Sequence, residues 1–239
     1  MSSFEIKMVE QTGSTNADLA DRVRAGQARD GQWLVARRQN AGRGRQGREW
    51  FDGTGNFMGS TTVELLSGDP PPASVSFVAA LVVYDAVGDI LADGARPSLK
   101  WPNDVLIGRA KLAGILLEMV KGHLVVGIGV NLARAPSLED RDAVSLADFG
   151  PAPAVDSFAQ TLAHRFEERL KSWREHGLAA TLAEFELCSI QTPGAPVKVH
   201  DQDGSFVEGV FAGLDETDGA LRLRLADGSE RVIRAGDIV

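Results

Sequence analysis

Arg37-Arg38-Gln39-Asn40-Ala41-Gly42-Arg43-Gly44-Arg45-Gln46-Gly47-Arg48-Glu49-Trp50 carries five arginines and three glycines in fourteen residues, and no other segment of the chain is so biased. It is bounded by Trp33-Leu34-Val35-Ala36, which reads as a buried strand, and by Phe57–Leu66, which again reads as strand. The chain must therefore hold a cationic loop between two rigid elements. Arginine offers a planar, permanently charged fork that binds phosphate or carboxylate at two points, and interspersed glycines let backbone N–H groups approach an anion without obstruction. The segment reads as a flexible anion clamp. By itself it reads equally as a solvated basic loop or a nucleic-acid patch. The net charge of −8 makes the loop a local exception on an acidic molecule and argues against a primary nucleic-acid binder.

A length of 239 residues accommodates one large domain, or a large domain with a small one, and 44% hydrophobic with 24% charged residues is ordinary globular composition. The lone cysteine, Cys188, excludes an intrachain disulfide; flanked by Leu187 and Ile190, it reads as a small core residue. No Cys/His cluster has metal-ligand spacing. The start, Met-Ser-Ser-Phe-Glu-Ile-Lys, lacks the basic and apolar regions of a signal peptide, and nothing approaches the roughly 18 apolar residues of a membrane span. The expected location is the cytoplasm.

Along the chain, Phe4, Ile6 and Met8 alternate as a first strand, and Ala17–Ala25 reads as a short helix ended by Gly26. Thr15 and Asp18 have capping-box spacing, which competes with a ligand role for Ser14, Thr15 and Asn16. After the Asp69-Pro70-Pro71-Pro72 turn, a helix from Ser74 to Leu91, closing at Gly94, is apolar nearly all round and should be buried. Ser98–Ile107 reads as two short strands broken by Pro102-Asn103-Asp104. Asn103 and Asp104 fit turn chemistry there, while a carboxylate at a strand end could also hold Mg²⁺ or position an amine. Gly108-Arg109 turns into an apolar strand beginning at Lys111, and His123–Gly129 returns to Asn131. Lys111 either snorkels to solvent or stabilises a bound carboxylate or phosphate, and Asn131 is either a turn residue or a ligand contact.

Pro136–Pro153 is a polar connection. Asp156 or Ser157 should cap the next helix, whose Phe158, Leu162, Phe166, Leu170 and Trp173 keep helical spacing up to a break at Gly177, with a further helix over Leu178–Cys188. From Pro193 the composition shifts to short strands separated by Asp203-Gly204, Asp218-Gly219 and Asp227-Gly228, which are strong hairpin signals and suggest a small β-barrel-like appendage over about residues 193–239.

Ser14-Thr15-Asn16, Gln39 to Trp50, Lys100-Trp101-Pro102-Asn103-Asp104, Lys111-Leu112-Ala113-Gly114-Ile115 and Gly127-Ile128-Gly129-Val130-Asn131-Leu132 occur in an order and spacing that resemble the biotin protein ligases. Gly213-Leu214-Asp215 and Gly219-Ala220-Leu221 are similar to that family's small SH3-like domain. The resemblance covers essentially the whole chain. It implies an α+β fold like the catalytic core of class II aminoacyl-tRNA synthetases, a mixed, mostly antiparallel sheet flanked by helices. Residues 1–192 would form the catalytic domain and 193–239 an SH3-like barrel.

The same resemblance implies ATP-dependent formation of biotinyl-5′-AMP and transfer of biotin to a lysine of a biotin carboxyl carrier protein or domain. Ser14, Thr15, Asn16, Gln39, Gly42, Arg43, Gly44, Arg45 and Lys111 would hold biotin. Arg45, Arg48, Trp50, Asn103, Asp104, Lys111 and Asn131 would face ATP or the adenylate. Lys111, Arg48 and Asp104 would be catalytic, with Mg²⁺ accompanying ATP and Asp104 the candidate nearest to it. Two departures stand out: Gly59, where the family usually has a bulkier residue, and the short segment before Phe4, which has no room for a DNA-binding domain. Nucleic acid and membrane partners are not implied, and a homodimer is left open. There are two rival readings: a lipoate or octanoate ligase or transferase, which shares the fold and an equivalent lysine but whose relatives lack the Gly-Arg-Gly-Arg-x-Gly-Arg run, and a non-catalytic biotin-responsive binding protein.

Overall fold

Side-chain alternation along the central strands sorts the apolar residues onto two faces. The computed structural model describes residues 4–91, 94–138, 142–201 and 204–239. Seven strands, β1 (Glu5–Thr12), β2 (Gln32–Gln39), β3 (Phe57–Glu64), β4 (Pro97–Lys100), β5 (Asp104–Ile107), β6 (Ala110–Val120) and β7 (His123–Val130), form one sheet in the order β1-β2-β3-β7-β6-β5-β4. Only β1 and β2 run parallel; every other neighbouring pair is antiparallel. With the helices on its faces, this is the mixed α+β sheet the sequence resemblance implies.

On one face, Trp33 and Val35 of β2 and Leu124, Val126, Ile128 and Val130 of β7 enter the larger core. Helices α2 (Val75–Gly88) and α3 (Val155–Leu187) cover that face. On the other face, Leu34 and Val125 meet Leu19, Ala20 and Val23 of α1 (Thr15–Arg24). Each fully buried aliphatic side chain of this kind contributes about 1.5–3 kcal/mol. Helix α1 covers only one end of its face. Further along, strand alternation puts Gly127, Gly129 and Gly114 on this same face, and the sheet there is a trough.

Helix α2 is buried nearly all round, as its composition requires, but it ends at Gly88 rather than Leu91 and starts after a 3-10 turn over Pro72–Ser74. The expected closing segment includes residues 92 and 93, which lie outside the described residues. Helix α3 breaks at Gly177, whose φ of 79° favours glycine; Arg169 spans the break by donating to Glu184 (2.8 Å) and also donates to Asp85 of α2 (2.7 Å). Two expected caps are corrected. Ser14, not Thr15, occupies the N-cap of α1, because Thr15 is already helical and its hydroxyl is engaged elsewhere. Neither Asp156 nor Ser157 caps α3: Ala154 holds that position, and Asp156 pairs with Arg37 instead. Cys188, half-buried, packs against the core where the end of α3 meets β4, its carbonyl accepting from Leu99 N (2.8 Å).

The C-terminal strands β8 (Pro196–Asp201), β9 (Phe206–Leu214), β10 (Leu221–Arg224), β11 (Glu230–Ile233) and β12 (Gly236–Ile238) form a second, antiparallel sheet in the order β11-β10-β9-β8-β12. Among the described residues no pairing joins β11 to β12, so the sheet is open where the resemblance implied a barrel. Gly219 and Gly228 have left-handed φ of 76° and 84°, as Asp-Gly hairpins require, while Asp203 lies outside the described residues. The turn at Gly219 seats this sheet on the first. A Cβ there would come within 2.3 Å of Phe77, and Trp101 Nε1 donates to the Gly219 carbonyl at 3.0 Å. Strand β12, three residues long, has no periodic signature in the sequence, yet it brings Asp237 to the mouth of the trough.

Candidate functional site

The glycine trough is the floor of a cavity of about 400 Å³, a size suited to a small organic ligand. Gly114 and Gly129 are register partners across β6 and β7, and the Trp50 ring lies on them: a Cβ built on Gly129 would be 2.2 Å from Trp50 Cε2. Gly127 supports Asn16 in the same way, with 2.5 Å from the built Cβ to Asn16 Oδ1. Any side chain at these positions would fill the trough. Gly59, the departure noted in the sequence, serves the opposite face. It pairs with Val35 and Ile128, and the Phe57 ring occupies the space a larger residue would take.

A β-bulge decides where Lys111 points. Asp104 pairs with Gly114 and Val105 with Ala113, but Leu106 pairs with Lys111, so one residue of β6 is extra. Strict alternation would send Lys111 to the core with Ala113 and Ile115. The bulge turns it to the site face, where its Nζ would be 3.1 Å from a Cβ on Gly114 and donates to Asp104 Oδ1 at 2.6 Å. Its backbone is held from outside the sheet as well, by Asp142 O (2.9 Å) and Val144 N (3.0 Å). Asn131, buried, donates to the Lys111 and Val144 carbonyls and accepts from Asn56. Its amide is thus spent on fixing the Lys111 segment. Asn56, which the sequence reading passed over, is fully buried and also ties Ala133 and Arg134 to the end of the arginine loop.

The loop is folded into defined turns. Gly44 N bonds Arg48 O (2.7 Å), Trp50 N bonds Gly42 O (3.0 Å), and the turn between them takes Gln46 and Gly47 through positive φ. What offsets the repulsion among its arginines is Asp237 of β12, whose two oxygens take Arg45 (3.1 Å) and Arg48 (2.7 Å). Arg45 also donates to Asn103 Oδ1 (2.9 Å) and Gly236 O (3.3 Å). Asn103 is in turn locked to β6 through both backbone and side-chain bonds to Ile115. The C-terminal sheet therefore holds the clamp, and Asp237→Asn is expected to loosen it. Partly exposed ion pairs of this kind contribute up to about 1 kcal/mol each, so amide exchange over residues 44–48 should accelerate several-fold without a change in melting of the whole. Unaltered exchange in the loop would show that Asp237 does not hold it.

At the other end, Ser14, Thr15, Asn16 and Gln39 are all buried. Gln39 Oε1 accepts from Thr15 N (2.7 Å) and Oγ1 (3.0 Å), and Thr15 Oγ1 lies 2.7 Å from Ser60 Oγ. Asp52 fixes Gln39 from behind, through its backbone N at 3.1 Å. Asn16 is the exception: both its amide atoms are buried and have no partner. Trp50 Nε1 is likewise buried and unpaired. Of the residues the sequence singled out, Ser14, Thr15, Asn16, Gln39, Arg43, Gly44, Arg45, Arg48, Trp50, Asn103, Asp104, Lys111 and Asn131 line this one cavity. Gly42 does not; it lies beneath, where a Cβ would meet Trp50 O at 3.0 Å and Gln39 Nε2 at 3.1 Å.

Gly129→Ala tests the trough directly. Position 129 has ordinary extended backbone, so the strand should form, but the Trp50 ring must leave. Overpacking of this sort costs about 1–3 kcal/mol, or roughly 5- to 150-fold in ligand retention. Circular dichroism should be unchanged while small-ligand binding, read by calorimetry, falls by that factor. Wild-type binding would mean the ring is not needed on the trough floor.

Among the described residues no three His, Cys, Asp or Glu side chains come together as a metal site. Asp104, the residue nearest to a Mg²⁺ role in the sequence, gives one oxygen to Lys111. This donor set does not fit a resident metal centre.

Comparison with known proteins agrees with the geometry. Residues 8–133 match the biotin/lipoate A/B protein ligase family, and residues 193–239 match the biotin protein ligase C-terminal domain. The chain is 38% identical to a biotin–[acetyl-CoA-carboxylase] ligase of Mycobacterium tuberculosis, over 98% of this chain and 88% of the relative. A protein of the same name from Paracoccus denitrificans is 37% identical, over 97% and 98%. The fold superposes on the biotin protein ligase of Aquifex aeolicus in complex with biotin and ATP, with a TM-score of 0.84 at 26% identity, covering 98% and 97% of the two chains. On its sequence, its sheet and its glycine-floored cavity, this chain belongs to the biotin protein ligase family.

Proposed function

We propose that the chain is an ATP-dependent biotin protein ligase that forms biotinyl-5′-AMP and transfers biotin to a lysine of a carboxylase's carrier protein or domain. One observation carries the reading: the cavity has two chemically different ends. At one, Asn16 presents a buried donor and a buried acceptor with nothing to pair them, beside Ser14 and Thr15. That matches the neutral ureido ring of biotin, a fixed array of donors and acceptors. At the other end stand Lys111, Arg45 and Arg48, as needed where biotin's carboxylate meets a phosphate.

In the first step a carboxylate oxygen of biotin bonds to the α-phosphorus of ATP while the bond to the bridging oxygen breaks and pyrophosphate leaves. No covalent nucleophile of the protein is needed. Two anions must approach, so fixed cations supply the main catalytic term. Lys111 exchanges Asp104 for the reacting oxygens, and Arg48 neutralises the phosphate. In the second step the acceptor amine attacks the anhydride carbonyl and AMP leaves. Asp104, released by Lys111, is placed to orient that amine. Asn131 positions Lys111 through its backbone rather than touching the nucleotide, a change from the sequence expectation that its spent hydrogen bonds support. Trp50 presents a ring face to the bound molecule.

We divide the chain into a catalytic part, residues 1–192, and a C-terminal part, residues 193–239, the latter supported by the C-terminal family match. The C-terminal part steadies the clamp through Asp237. No helix among the described residues is long and apolar enough to cross a membrane, and a cytoplasmic setting suits the absence of disulfide chemistry. Pyrophosphate release in the presence of ATP and Mg²⁺ tests the reading: biotin should support it and lipoate or octanoate should not. Release with lipoate alone would move the chain to the lipoate branch.

A further inference from the structure

Expelling pyrophosphate requires cations that are not already neutralised, and most of those in the cavity are. Arg45 and Arg48 share Asp237, and Lys111 holds Asp104. Among the described residues two cavity-lining arginines, Arg43 and Arg109, form neither an ion pair nor a side-chain hydrogen bond. The sequence gives Arg43, in the loop, to the biotin end. Arg109 has no role from sequence or fold. It lies in the turn between β5 and β6, two residues before Lys111, and is an exposed residue of the cavity lining. The turn itself needs only Gly108, whose φ is 61°. Nothing in the packing calls for an arginine beside it.

We propose that Arg109 binds the β- and γ-phosphates of the nucleotide and carries the charge of pyrophosphate as it departs; this deepens the ligase reading and rests on it. A guanidinium fork on a short, well-paired hairpin offers two-point contact to a phosphate at little ordering cost. As the bond from the α-phosphorus to the bridging oxygen breaks, its electron pair passes to the leaving pyrophosphate, whose charge rises. A cavity-lining cation that forms no ion pair with Asp237 is free to meet that charge. Arg109 thus differs from the loop arginines, which face the α-phosphate and the carboxylate.

The test compares the wild-type chain with Arg109→Ala and Arg109→Lys in adenylate formation from biotin and Mg-ATP, with inorganic pyrophosphate as the inhibitor. Arg109→Ala should raise the KM for ATP and the inhibition constant of pyrophosphate together, each about 10-fold. Biotin affinity by calorimetry, melting temperature and the KM for the carrier domain should not move. Arg109→Lys should recover part of both effects, since a point charge replaces the fork. Unchanged ATP and pyrophosphate constants in Arg109→Ala would overturn the assignment. A selective rise in the KM for the carrier domain would also overturn it, and would make Arg109 a docking residue for an acidic acceptor surface. If the wild-type chain itself forms no adenylate, the ligase reading fails first and the assignment falls with it.

Discussion

Lys111→Ala is expected to leave the fold intact and to lower the rate of biotinyl-5′-AMP formation by roughly 10²–10³, the usual cost of removing one fixed electrostatic donor. The size of the effect follows from how the residue is held. The bulge at β5–β6 turns Lys111 out of the core, and Asp142, Val144 and Asn131 fix its backbone, so the ammonium is placed before substrate arrives. The side chain is one-fifth exposed and lines the cavity beside Trp50 rather than the hydrophobic core, so its removal leaves the core packing in place. Asp104, equally exposed, can be hydrated once its partner is gone. Single-turnover adenylate formation should therefore collapse while the thermal transition stays within a few degrees of wild type. A wild-type rate would remove Lys111 from the reaction.

Arg45→Gly should produce a different failure. Arg45 joins three parts of the site: Asn103 on the turn before β5, Asp237 and Gly236 of β12, and its own loop. Glycine deletes charge-assisted contacts worth about 1.5–3 kcal/mol and adds backbone freedom at the same residue. Arg48 and Lys111 still neutralise charge, so synthesis of the adenylate persists. What is lost is retention, by roughly 10- to 100-fold in dissociation rate. Escaped biotinyl-5′-AMP is a reactive anhydride that acylates exposed lysines on bystander proteins. Streptavidin blotting of a reaction containing serum albumin should show a labelled albumin band with Arg45→Gly and none with wild type. Undiminished adenylate synthesis beside unlabelled albumin would sink the retention role.

The structural features legible in the sequence are those written in local patterns. Alternation and turn residues placed the strands on either side of the arginine loop, the break at Gly177 and the Asp-Gly hairpins of the second sheet. The residues that gather around the cavity come from five separated motifs whose order could be read directly. Other features depend on distance in space. The bulge that aims Lys111 is a register shift between two strands and leaves no mark on either one alone. Asp237 sits in a three-residue strand near the C-terminus, too short for any periodicity, yet it pairs with two arginines about 190 positions earlier. That pairing offsets the like charges of a loop whose glycines and arginines predict mobility. Asn131 lines the cavity, as a ligand contact would, and burial also brings it three hydrogen-bond partners among the backbone and Asn56. The capping residues were misplaced because Thr15 has a stronger alternative, Gln39 and Ser60 across the site.

The proposed function requires one cavity both to make the adenylate and to deliver biotin to a particular lysine. The most direct measurement is the intact mass of a biotin carboxyl carrier domain after incubation with this chain, biotin, ATP and Mg²⁺, beside the same domain with its acceptor lysine changed to arginine. A single biotin amide is expected on the first domain, none on the second, and none on either when ATP is omitted. An unmodified first domain while pyrophosphate is being released, or equal labelling of both domains by the wild-type chain, would contradict that function.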